Sequence, residues 1–140
     1  MFFKKKRMKY VLTEEDKKWN KMWDLWVNEE LPSPYYELMT YDSEVQNGGH
    51  LQFFENENNL GRLDNDIESL KNILNKDMYD CLLKAYEKWK ELNLSIDTVD
   101  DYVEVEDEDY FNEADTYYYN HEEYVKNTLK EYSLTIELGE

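Results

Sequence analysis

Glu44-Val45-Gln46-Asn47-Gly48-Gly49-His50-Leu51-Gln52-Phe53-Phe54-Glu55-Asn56 reads as one helix that stops and a second that starts. Glycine adopts the left-handed backbone that closes a helix C-terminus without a Cβ clash, so Asn47-Gly48-Gly49 is a stop signal. A short helix from Leu51 to Glu55 restarts beyond it. Gln52 and Asn56, four apart on one face, are placed to hydrogen-bond backbone across the turn. Upstream, Ser33-Pro34 offers an N-cap and then a proline at the first helical position, and Tyr35, Leu38, Met39 and Val45 line the side this helix buries.

Outward from this turn the pattern stays helical. Thr13 is an N-cap followed by Glu14, Glu15 and Asp16 near the positive end of the helix dipole. Trp19, Met22, Trp23, Trp26 and Val27 then fall on one face, a stripe that reads as core before it reads as a ligand box. On the other side, Asp64 caps a helix burying Ile67, Leu70, Ile73 and Leu74. After the Asn75-Lys76-Asp77 break a second helix follows with Met78, Leu82, Ala85 and Trp89, antiparallel to the first. Asn120-x-x-Glu123 fits a capping box for a last helix using Tyr124, Val125, Thr128, Leu129 and Tyr132. Two short segments alternate like strands, Tyr102-Val103-Glu104-Val105-Glu106 and Leu134, Ile136, Leu138. The expected fold is all-α, a single compact multi-helix domain over residues 13–140 with little or no β-strand, preceded by a basic tail over 1–12.

Composition adds a foldable core under an acidic surface. Of 140 residues 41% are apolar, with four Trp, thirteen Tyr and five Phe, too many large aromatics for a disordered acidic chain. The charge is 16 basic against 33 acidic residues; five of the basic ones lie in residues 1–10 with no acid, leaving 11 against 33, or −22, for the rest. Such a body repels nucleic acid and anionic membranes and attracts basic partners, the more weakly as salt rises. Cys81 is the only cysteine, which excludes an intrachain disulfide or a Cys-based zinc site. The basic start is followed by no apolar run of a signal peptide's length, and none approaches the roughly 20 residues of a membrane span. A cytoplasmic location is expected.

The most concentrated charge lies in a stretch free of Lys and Arg, where Asp97, Asp100, Asp101, Glu104, Glu106, Asp107, Glu108, Asp109, Glu113, Asp115, Glu122 and Glu123 occur. One reading is a solvated face. Another starts from duplex DNA, which carries one negative charge per roughly 1.7 Å of axis and is held by Lys and Arg. A rigid array of carboxylates can occupy the same basic cleft, because carboxylate accepts the bidentate Arg pairing that phosphate accepts. Asp64, Asp66 and Glu68 are candidates to extend the array, and interspersed Tyr102, Tyr110, Phe111, Tyr117, Tyr118 and Tyr119 either pack inward or supply hot spots. Calcium is a third reading, but an EF-hand loop begun at Asp64 has Ser69 where Gly and Asn75 where Glu are needed. Neither His50 nor His121 belongs to a metal motif, and no phosphate loop or nucleophile elbow is present. No catalytic residue, metal or cofactor is therefore expected, and Cys81 among Met78, Leu82 and Ala85 reads as an inert thiol.

The segment from Asp42 to Asn56 resembles the signature of the bacterial DNA-mimic protein family, a domain-of-unknown-function family. Its pattern, Glu-Val-x-Asn-Gly-Gly-aromatic-x-Gln-Phe/Tyr-Phe-x-Asn, falls on Glu44, Val45, Asn47, Gly48, Gly49, Gln52, Phe53, Phe54 and Asn56, with His50 where an aromatic is usual. The stretch Asp109 to Tyr132 is similar to the family's C-terminal part. The resemblance implies an all-helical fold and, for at least one member, binding to a transcription regulator in place of DNA. Glu44, Asn47, Gly48, Gly49, Gln52 and Asn56 are then structural, since mimicry depends on where acids lie. The expected function is an acidic binding protein occupying the DNA-binding surface of a basic partner, with no direct nucleic-acid or membrane binding by the acidic body and a homodimer left open. The alternatives are an immunity-type protein neutralising a basic toxin such as a nuclease, and an enzyme with a site near His50.

Overall fold

Thr13 begins the first helix as its spacing predicts: its hydroxyl accepts from Asp16 N at 3.1 Å and its own N–H donates to Asp16 Oδ2 at 3.0 Å. In this structure, a computed structural model describing residues 11–139, six helices follow one another: α1 Glu14–Val27, α2 Tyr35–Asn59, α3 Leu63–Leu70, α4 Lys76–Leu92, α5 Val99–Asp107 and α6 Asn112–Ser133. No strand occurs among the described residues. The fold is all-α. Apart from Val11 and Leu12, both exposed, the expected basic tail lies outside the described residues. Among the described residues no helix is long and apolar enough to cross a membrane.

The α1 stripe buries unevenly. Met22 is fully enclosed, while Trp23 sits edge-on between Trp19 and Trp26 with centroids 6.4 and 5.5 Å apart. Trp26 Nε1 donates to Thr40 Oγ1 at 2.9 Å, fastening α1 to α2, whereas Val27 is exposed and leaves the stripe. The α2 start differs from its expectation: the Ser33–Pro34 bond is cis, Pro34 stands at the cap, and the Ser33 hydroxyl donates to Glu37 Oε1 at 2.5 Å. The stop at Gly48 (φ −157°, ψ 19°) and Gly49 (φ 75°, ψ −173°) is a kink within α2. The restarted part runs to Asn59, past the expected end at Glu55, because Phe53, Phe54 and Glu57 keep one face buried.

Other segments also depart from their expected pattern. Arg62, not Asp64, precedes α3, and Asp64 inside its first turn accepts the Tyr86 hydroxyl. Residues 102–106 are helical, since Thr98 and Asp101 form a capping box and Tyr102 and Val105, three apart, turn inward. Asn120 caps nothing: α6 is continuous from Asn112, and Ala114 and Tyr118, both before the expected start, are already buried on it. The Leu134 to Leu138 segment forms no strand; Ile136 alone is buried there.

The kinked α2 is the hub, packing on α6, α3 and α4, while α6 also holds α1 and α4. Its aromatic centre is continuous. Phe54, completely buried, lies 5.5 to 6.0 Å by ring centroid from His50, Phe53, Tyr86, Trp89 and Phe111. α5 meets the core through Tyr102 and Val105.

Candidate partner-binding surface

The kink is built by side chains that meet each other and not the backbone. Glu44 Oε2 accepts from Gln52 Nε2 at 3.0 Å and from Asn56 Nδ2 at 2.8 Å, and Asn47 Nδ2 donates to Gln52 Oε1 at 3.2 Å. The expected amide bonds to backbone are thus replaced by bonds to a carboxylate one helical segment away. A Cβ at Gly48 would stand 2.1 Å from Gln52 Oε1 and push that side chain off its place in this network.

His50 faces the other way. It is 1% exposed; its backbone N–H donates to Asp115 Oδ1 at 2.8 Å, its Nδ1 lies 2.7 Å from the same oxygen, and its Nε2 lies 2.7 Å from the Tyr41 hydroxyl. With Nδ1 donating to the carboxylate, Nε2 accepts the Tyr41 proton, so every polar atom of the ring is used. Burial pushes the Tyr41 hydroxyl well above its ordinary range and does the same to Tyr118, which donates to Asp42. Burial also raises Asp42, against the pull of the Tyr118 and Gln46 hydrogen bonds. His50, Gln52, Glu44 and Asn56 do not converge on one cavity: the small cleft beside the kink is lined instead by Gly48, Leu51, Val105, Glu106, Tyr110 and their neighbours.

The twelve acids divide into those used internally and those free. Asp101 is spent on the α5 cap, receiving the N–H groups of Asp97 and Thr98, which lower its carboxyl below the usual range. Asp115 is spent on His50. Glu122 accepts from Gln46 Nε2 at 2.8 Å, and Glu113 lies 3.7 Å from Lys84 Nζ. Asp97, Asp100, Glu104, Glu106, Asp107, Glu108, Asp109 and Glu123 are exposed, and among the described residues none of their carboxylates has a hydrogen-bond or ion-pair partner.

Seven of those eight fall within Asp97 to Asp109, on α5 and the two turns flanking it. On α5, Asp100, Glu104 and Asp107 are spaced four and three apart, so carboxylates recur along one side every ~4.5–6 Å at 1.5 Å rise per residue. Val99 and Val103, 79% and 47% exposed, lie on the same helix and put apolar surface among the charges. Tyr102 and Val105 turn under the helix, and Phe111 is buried behind it. Of the aromatics weighed as hot spots, Tyr118 is also buried, Tyr119 is exposed on α6, and Tyr110 and Tyr117 are half-buried.

Of the three acids considered as an extension of this face, Glu68 is exposed, while the other two are committed elsewhere. Asp66 is 1% exposed and Asp64 is tied to Tyr86. Among the described residues no three His, Cys, Asp or Glu side chains gather as a metal ion requires. Cys81 is half-buried beside Lys84, Ala85 and Phe111, and burial raises its thiol. The engagement of Asp115 escaped sequence reading. Its signal was Phe111, Ala114 and Tyr118 at helical spacing, which place Asp115 beside a buried face.

A family model described as DMP19-like protein matches residues 29–136, which takes in α2 to α6 and leaves out α1. No curated protein and no solved structure gives a match.

Proposed function

This chain belongs to the DMP19-like protein family, and from that premise we propose that it is a binding protein, not an enzyme, whose acidic face occupies the DNA-binding surface of a basic protein. The observation that carries the reading is the set of seven exposed, internally unpartnered carboxylates from Asp97 to Asp109, three of them along one side of α5. Proteins that hold DNA meet phosphates with Lys and Arg, and a carboxylate row offers the same side chains a charge-assisted, bidentate partner. Rigidity favours such an array, because ordering a loose chain on binding costs affinity. The Thr98–Asp101 capping box and the inward packing of Tyr102 and Val105 support that rigidity. The engaged His50 supports a structural and not a catalytic kink. No metal or cofactor is invoked, and the cytoplasm is the proposed place of action.

The test is affinity capture from the native cell at low and at high salt, with mass spectrometry of what elutes. Basic DNA-binding proteins are expected to bind at low salt and to leave as ionic strength approaches 1 M, where the screening length falls to about 3 Å. A captured nuclease toxin would turn the same electrostatics to immunity. Capture of a neutral or acidic partner that resists salt would contradict the reading.

A further inference from the structure

Three acids are buried away from the acidic face. Glu37 in the first turn of α2, Glu57 in its last turn and Asp66 in α3 are 3%, 1% and 1% exposed. Asp66 feels the charges of Glu57, Glu37 and Arg62, and only Glu57 of the three pairs directly with the Arg62 guanidinium between α2 and α3, which is already shared. Its Nη2 lies 3.5 Å from Glu57 Oε2, and its Nη1 lies 3.2 Å from Glu29 Oε1 and 3.1 Å from the Tyr36 hydroxyl. Glu37 Oε1 accepts from Ser33, yet Glu37 Oε2, Glu57 Oε1 and Asp66 Oδ2 are buried with no donor.

Three carboxylates and one cation would leave uncompensated negative charge in the interior, at a cost of several kcal/mol per ion. A carboxyl that keeps its proton is neutral and becomes a donor. The two orphan oxygens of Glu57 and Asp66 are then no longer both acceptors without a partner. We propose that Asp66 is a neutral acid at neutral pH, donating its proton to Glu57, and that this proton is a pH-dependent latch closing α3 and the α1–α2 connection onto α2.

The surrounding groups act in the same sense. Burial first, then the hydrogen bond with Glu57, the charge of Glu57 and that of Glu37 raise the Asp66 carboxyl to about 9, with Arg62 opposing. Tyr36, on α2, is itself raised by burial and stays neutral, and Glu29 reaches the cluster only through Arg62. An unfolded aspartate loses its proton near ~3.9. Between about 4 and 9 the folded chain therefore holds one proton more than the unfolded chain. The folding equilibrium constant should fall with rising pH by up to about tenfold per pH unit and level off above the folded value.

The full-length chain and its Asp66→Asn variant are to be unfolded in urea from pH 5 to 9, with exposed Glu131→Gln as control. The difference between the first two curves is read, so that contributions common to both chains cancel. The expected result is a pH slope in the unaltered chain that Asp66→Asn loses, since asparagine keeps a donor for Glu57 without a titrating proton, and that Glu131→Gln retains. Infrared spectroscopy of the unaltered chain serves if the variant fails to fold. A carbonyl stretch of a protonated carboxyl is expected at pH 7 and should vanish above pH 10. Absence of that band at pH 7, or an undiminished slope in Asp66→Asn, would overturn the latch.

Discussion

Gly49→Ala should destabilise the protein by about 3 kcal/mol or more, read as a lower urea midpoint with an unchanged slope. Two causes add. The backbone at φ 75° and ψ −173° lies in a region open essentially to glycine alone, where another residue costs of order 1–3 kcal/mol. The new Cβ would also stand 2.6 Å from Asp115 Oδ2 and 3.0 Å from its Cγ. Asp115 cannot yield without loosening its bonds to His50 N and Nδ1, at 2.8 and 2.7 Å. Each buried donor left without an acceptor costs roughly 1–3 kcal/mol. Gly61→Ala separates the two causes, because Gly61 also has positive φ, at 72°, but nothing lies within 4 Å of its Cβ position. It should lose only the conformational part, about 1–2 kcal/mol.

Phe54→Ala should cost about 3–5 kcal/mol, the range for deleting a buried aromatic. Phe54 is 0% exposed, and its ring meets side chains of α2, α4 and the α5–α6 connection. The loss leaves a cavity that no single helix can fill by shifting, because opposite sides of it belong to different elements. Thermal and urea unfolding check the size of the effect. Near-ultraviolet circular dichroism, which reports the packed Tyr86 and Trp89 rings, should weaken more than the helical signal in the far ultraviolet.

The helical stripes were legible in the sequence because their periodicity is local. Met22, Leu38, Met39, Ile67, Leu70, Met78 and Leu82 all lie buried on the faces their spacing defines. The family expected from the Glu44 to Asn56 segment is the one that matches residues 29–136, although the amides of that segment meet Glu44 and not backbone. Misreadings arose where two patterns compete. Val103 and Val105 alternate with acids as in a strand, yet the Thr98 cap and the 102/105 pair decide for helix. Asn120 resembles a cap, but Ala114 and Tyr118 had already committed that surface to the core.

Long-range polar pairing was not legible at all. His50 and Asp115 are 65 residues apart, and nothing near either marks the other. The same holds for charge. Nine of the twelve acids from Asp97 to Glu123 are exposed, as self-repulsion requires, whereas Glu37, Glu57 and Asp66 are buried where α2 and α3 meet, with Glu57 beside Arg62. An average over composition cannot separate those two classes. The separation matters for function, since only unpartnered surface carboxylates remain free to attract a cation from outside.

DNA displacement decides whether the acidic face stands in for a duplex. A DNA-binding protein recovered by low-salt capture is loaded with a fluorescent duplex of its own site and titrated with this chain. The competitor is a variant carrying Asn or Gln at Asp97, Asp100, Glu104, Glu106, Asp107, Glu108 and Asp109. The unaltered chain should release the duplex, and the variant should not, although its helical circular dichroism is unchanged. Equal release by the variant, or a ternary complex in which the duplex stays bound, would contradict the account.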